Sequence, residues 1–115
     1  MGEKEQLLEK NVKEFYTEGN NALKRNSYNS AVSLFFKALA VLADLIILLK
    51  EGYIPKSHTD RFKILKQKHF EIYKILDRDF PAYQDSYSIN LDKEISEEIK
   101  NDVRKVAEKI GFKLD

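Results

Sequence analysis

Few residues in this 115-residue chain have types and spacings that suit chemistry. His58 and Arg61 stand three apart directly after Ser57, in a run, Ser57-His58-Thr59-Asp60, that has the form of a helix start. A histidine moves protons near neutral pH, and a fixed guanidinium stabilises charge growing on phosphate oxygens. The pair therefore has the composition that phosphodiester cleavage needs. A charged first helical turn has the same composition and performs no reaction. Asp44 is the third such residue, an acid inside a long apolar run. A buried carboxylate is costly without a partner. Lys37 on the same helix face, or His58 and Arg61 at the start of the next helix, are placed to supply one. Otherwise Asp44 reaches water at the edge of the fold. His69 falls on a predicted apolar face and reads as a satisfied core histidine, while Glu97-Glu98 suits the first turn of a helix, where acids favour the dipole.

Much chemistry is excluded. With no cysteine the chain has no disulfide and no thiolate ligand, and its two histidines fall in no metal-binding spacing. No metal and no cofactor are expected. No glycine-rich phosphate loop or nucleophile elbow is present. Twenty basic and nineteen acidic residues leave a net charge of +1, which argues against gripping nucleic acid by bulk charge but leaves room for a local patch. The start, MGEKEQLLEK, does not resemble a signal peptide, and Gln6 stands where a myristoylation motif wants Ser or Thr. A cytoplasmic protein is expected.

The elements that must position these residues are helical. Residues 3–25 carry apolar positions at Leu8, Val12, Phe15, Gly19, Ala22 and Leu23, with Gly19 allowing a close neighbour. Arg25-Asn26-Ser27 is a tight break, Asn26 suiting a left-handed cap and Ser27 an N-cap, and so short a turn folds the next helix back on the first. The second helix spans Tyr28 to Glu51 and stops at Gly52. Its stretch from Ala31 to Leu49 has nineteen residues of which only Ser33, Lys37 and Asp44 are polar. That is long enough for a bilayer, but each charge at a span's centre costs about 2.5–3.5 kcal/mol. The run reads as a core helix, and no membrane is expected. A third helix follows Ser57 with Phe62, Leu65, His69, Ile72 and Leu76 on one face and ends near Arg78, before Asp79-Phe80-Pro81. Residues 81–89 suit a short fourth helix. The last runs from Asp92 or Ser96 to Ile110 on a stripe of Ile95, Ile99, Val103, Val106 and Ile110, with Gly111 as its cap. The expected fold is all-α: one domain over residues 1–115, an up-and-down antiparallel bundle of four to five helices.

Two resemblances follow. Gly19, Tyr28, Ala31, Phe35, Ala38 and Leu39 match tetratricopeptide intervals, though no second repeat follows. Nearly the whole chain resembles the HEPN family, small helical bundles of prokaryotes, often archaea, commonly encoded beside nucleotidyltransferases. The resemblance rests on Tyr28-Asn29-Ser30-Ala31, on Phe36-Lys37-Ala38-Leu39 continuing to Ala43-Asp44, and on Gly52, Pro55, Ser57-His58 and Arg61. It extends to Phe80-Pro81-Ala82-Tyr83-Gln84-Asp85-Ser86-Tyr87, where that family begins its functional helix. Many HEPN proteins are dimeric, metal-independent ribonucleases with an arginine and a histidine separated by four to six intervening residues. Here Gln84 stands at the arginine position, and Ile89, Asn90 and Leu91 where the histidine should fall. The nuclease dyad is therefore not carried over. The resemblance implies a homodimer and a polar pocket lined by Asp44, His58, Arg61, Gln84, Asp85 and Tyr87.

Three functions are expected from these observations. The leading one is a non-catalytic binding module, a homodimer that engages a nucleotidyltransferase-type partner, a nucleotide or RNA. The second is a ribonuclease with its site relocated to His58 and Arg61. The third is a tetratricopeptide-like adaptor that grips a peptide.

Overall fold

Gly19 decides how the first two helices meet. A Cβ at this position would lie 2.6 Å from the Phe35 ring, so only hydrogen lets that ring pack against the backbone of helix α1. The structure is a computed structural model that describes residues 2–115. Helix α1 spans Glu3–Lys24 and α2 spans Tyr28–Glu51. Between them Asn26 adopts φ 61°, and the Ser27 amide donates to Ala22 at 2.9 Å, a left-handed cap that closes the hairpin. Ser27 occupies the N-cap position of α2, but its side chain makes no cap bond, a departure from the sequence expectation. The buried stripe of α1 is Leu8, Val12, Tyr16, Gly19 and Ala22, with Tyr16 fully packed where Phe15 only flanks it.

Helix α2 is the centre of the core. Phe35, Phe36, Leu39, Leu42, Leu45 and Ile47 are fully buried, and the remaining helices pack around them. Its length and hydropathy would suit a bilayer, and its apolar surface is spent on other helices instead. Gly52 ends it at φ 86°. Helix α3, His58–Lys68, starts as its sequence predicts: Ser57 Oγ accepts from the Asp60 amide at 3.1 Å, and the Asp60 carboxylate accepts from the Lys56 amide at 3.3 Å.

The next boundary differs from the sequence expectation. The chain breaks at His69, with φ −140° and ψ 59°, and helix α4 runs unbroken from Phe70–Asp85 through Pro81. An unbroken helix over residues 58–85 would be about 42 Å long at 1.5 Å per residue. That exceeds the longest dimension of the molecule, 38 Å. The break at His69 keeps both halves on α2. Pro81 is tolerated because it lies on the exposed side of α4, as does Asp77, whose carbonyl loses its helical partner. The packing of Ile72, Ile75, Leu76, Phe80 and Tyr83 on the core outweighs the one lost bond. The short separate helix expected over 81–89 is therefore the end of α4 followed by a turn.

Helix α5, Lys93–Lys109, is capped by Asp92, whose Oδ1 accepts from the Ile95 amide at 3.0 Å. It packs on both α1 and α2, and Arg104 Nη1 donates to Tyr16 Oη at 2.9 Å. Gly111 at φ 72° ends it. The described residues form five helices and no strand, an all-α globule.

Candidate functional site

The acid that interrupts the apolar run is paired with Arg61. Asp44 is 6 % exposed, and its carboxylate accepts two parallel bonds from Arg61, Nε to Oδ1 at 2.7 Å and Nη2 to Oδ2 at 2.9 Å. Lys37, the alternative partner on its own helix, is exposed. The third guanidinium nitrogen, Nη1, lies 2.7 Å from His58 Nδ1. Arginine has no acceptor, so Nδ1 accepts the hydrogen bond from Nη1, and the neutral imidazole carries its hydrogen on Nε2. Desolvation lowers the His58 pKa, the Arg61 charge lowers it further, and the Asp44 charge opposes both. The local sequence explains this order. The Ser57 cap starts α3, and His58 and Arg61 then occupy one flank of its first turn, facing Asp44 in the second half of α2.

Aromatic rings adjoin this cluster. His58 lies 5.3 Å from Phe80 and 6.0 Å from Tyr83, ring centroid to ring centroid. Tyr83 stacks on Phe36 at 4.8 Å, and its hydroxyl meets the Tyr87 hydroxyl at 3.1 Å. Burial and the Tyr87 bond push the Tyr83 pKa up to about 12, opposed by the charge of Arg61. Tyr87 itself is 72 % exposed. Of the residues expected to line a pocket, Asp44, His58 and Arg61 form one bonded cluster, and Tyr87 joins it through Tyr83. Gln84 and Asp85 do not. They lie about 100° and 200° around α4 from Tyr83, away from its aromatic stripe. His69 is no core residue. It sits half-buried at the α3–α4 break, with Nε2 3.0 Å from Glu51 Oε2.

Two features lie outside the sequence expectations. Asn29, in the first turn of α2, holds the loop after α4. Its Nδ2 donates to the carbonyls of Ser86 at 3.0 Å and Ile89 at 2.6 Å, and its Oδ1 accepts from the Leu91 amide at 2.9 Å. The second is an acid pair, Asp79 on α4 and Asp102 on α5, both buried. Arg78 covers them, with Nη2 2.7 Å from Asp102 Oδ2 and Nε 3.5 Å from Asp79 Oδ1. Asp79 Oδ2 is buried and has no hydrogen-bond partner among the described residues, an orphaned acceptor beside a second acid that a proton on this carboxyl would relieve. Burial, the bond to Asp102 and its charge push the Asp79 pKa up to about 8, against the lowering pull of Arg78. The sequence does carry a signal for this pair: Asp79 stands three after Leu76, and Asp102 three after Ile99, so each acid interrupts an apolar stripe.

Among the described residues no three metal-ligating side chains converge. No protein-family model, curated protein or solved structure matches the chain.

Proposed function

We propose that this protein is a HEPN-like helical bundle that works by binding. In this reading it is a homodimer acting with a nucleotidyltransferase-type partner, or on nucleotide or RNA, and not by cutting a phosphodiester. The observation that carries the proposal is the saturation of Arg61. All three of its nitrogens are engaged, two by Asp44 and one by His58. A guanidinium neutralised by a buried carboxylate offers little to a developing phosphorane charge. The His58 nitrogen that would act as base already accepts from Arg61, so taking up a proton there costs that bond. This arrangement ties α3 to α2 and holds the His58, Phe80 and Tyr83 rings in place.

Support for a partner comes from the end of α4. Tyr87, 72 % exposed, and Ile89, 51 % exposed, stand beside a shallow depression lined by Asn29, Ser30, Ser33, Leu34 and Ser86. Exposed apolar groups gathered beside small polar ones suit a protein interface. The groove that a tetratricopeptide-like adaptor needs at the α1–α2 hairpin is occupied by α5.

Sedimentation at micromolar concentration tests the reading, together with incubation with labelled single-stranded and structured RNA. The expected result is a dimer that Tyr87→Ala weakens, with RNA left intact. A monomer at every concentration sinks the interface. Cleavage that His58→Ala abolishes would establish the relocated ribonuclease instead.

A further inference from the structure

Between Arg61 and Lys74 the chain carries five basic residues and one acid, in a protein whose net charge is only +1. Arg61 is spent on Asp44. Lys63, Lys66, Lys68 and Lys74 are exposed and make no ion pair among the described residues. The one acid, Glu71, is 3.5 Å from Lys109, and Asp77 stands one turn beyond Lys74. The break at His69 turns this segment into an elbow, and Phe70, its first residue after the break, is left 51 % exposed. Phe70 stacks on Tyr73 with centroids 5.5 Å apart and planes 24° from parallel. Lys74 Nζ lies 5.6 Å from the Phe70 centroid and Lys66 Nζ 5.8 Å from that of Tyr73.

A phenylalanine left half in water is poorly used by the fold, and a lysine-rich face alone is ordinary solvated surface. Together they match what single-stranded nucleic acid requires, a ring on which a base can stack and ammonium groups for the phosphates on either side. We infer that the α3–α4 elbow binds single-stranded nucleic acid, with Phe70 stacking a base and Lys66, Lys68 and Lys74 holding the neighbouring phosphates. Lys63, one turn before Lys66, extends the same flank of α3. The surface does not involve His58, Arg61 or Tyr87, so it stands apart from the interface proposed above and does not depend on the family resemblance. A duplex keeps its bases stacked inside and offers the ring nothing, which makes strandedness the discriminating property.

The test is fluorescence anisotropy of the full chain with a labelled single-stranded RNA of about twelve nucleotides and with the matching duplex. The expected affinity for the single strand falls with salt between about 50 and 200 mM, at a logarithmic slope of about −2 for three phosphate contacts. Phe70→Ala weakens binding about tenfold and Phe70→Trp restores it. The triple change Lys66→Ala, Lys68→Ala, Lys74→Ala flattens the salt slope, whereas Lys10→Ala, Lys24→Ala, Lys93→Ala, equal in charge and exposed elsewhere, does not. All these positions are on the surface, and circular dichroism confirms that each variant is folded. No binding at low salt overturns the inference. So does equal affinity for duplex and single strand with no effect of Phe70→Ala, which would leave charge alone. Loss of binding in Tyr87→Ala but not in Phe70→Ala would place the nucleic acid on the other surface and refute this one alone.

Discussion

Replacing Asp79 by asparagine should make the protein more stable in mild alkali and flatten its pH dependence. Asp79 and Asp102 face each other from α4 and α5, both buried, and two negative charges cannot be held there cheaply. The native fold therefore keeps a proton on Asp79, whose pKa rises from 3.8 to about 8. A carboxyl that binds its proton more tightly in the folded chain gives stability that is complete below its unfolded pKa. That stability is lost as pH climbs through the folded value. A tenfold tighter hold on the proton is worth about 1.4 kcal/mol, so the roughly two units between pH 6 and the folded value near 8 give a loss on the order of 2–3 kcal/mol. Arg78 is 60 % exposed and well screened, which is why it does not cancel the effect.

Asparagine has nearly the same shape, cannot ionise, and places no second charge beside Asp102 at any pH. Urea denaturation followed by circular dichroism at half-unit steps from pH 6 to pH 9 measures the difference. Wild type should lose stability up to about pH 8 and level off beyond it, whereas Asp79→Asn should not, so the gap between the curves widens to about pH 8 and then stays constant. His58 has the opposite sign. Its pKa is lowered in the fold, so its contribution is complete above the unfolded value near 6.5 and is lost in acid. The interval from pH 7 to pH 8 therefore belongs to Asp79. Parallel curves for the two proteins would refute the shared-proton argument.

Arg61→Met should cost about 3–5 kcal/mol, because it leaves the Asp44 carboxylate buried and unpaired. Adding Asp44→Leu should recover most of the loss in thermal melts, and a double variant no more stable than Arg61→Met would count against that account. Gly19→Ala should destabilise by about 1–3 kcal/mol through collision with the Phe35 ring, and Phe35→Leu in the same chain should reduce the penalty. Asn29→Ala removes three bonds to the loop after α4 and should cost about 1–3 kcal/mol, with hydrogen exchange rising at the Leu91 amide before the core. Pro81→Ala should stabilise by about 1–2 kcal/mol. It restores an amide donor to the Asp77 carbonyl in a helix that already forms, offset by a more flexible unfolded chain.

Much of the architecture is legible in the sequence because it rests on local physics. The α1 stripe, the Asn26 turn, the Ser57 cap, the bounds of α2 and the Gly111 stop each depend on residues within one or two turns of one another. The α3–α4 region departs from expectation for the opposite reason. Pro81 argues locally for a break, but its solvent-facing position makes the lost bond inexpensive. The break falls instead at His69, where the size of the core and the contact with Glu51 from a distant helix decide it. The candidate site shows the same division. Asp44, His58 and Arg61 stand out as individual residues, while their union depends on how α3 is laid against α2. Asp79 and Asp102 are harder to see, although each interrupts an apolar stripe, because either acid alone looks like a residue at the rim of its helix.

By itself, then, the amino-acid sequence determined that this protein is helical, which helix is central, and that a carboxylate inside it would need a partner. Period, capping residues and the arithmetic of burial act within a short stretch of chain. Tertiary structure chose the partner by bringing Arg61 to Asp44, set two acids face to face, and left Phe70 among lysines at the elbow. Those outcomes turn on distances between residues 17 to 24 positions apart or on a bend imposed by the core, and no periodicity along one helix encodes them.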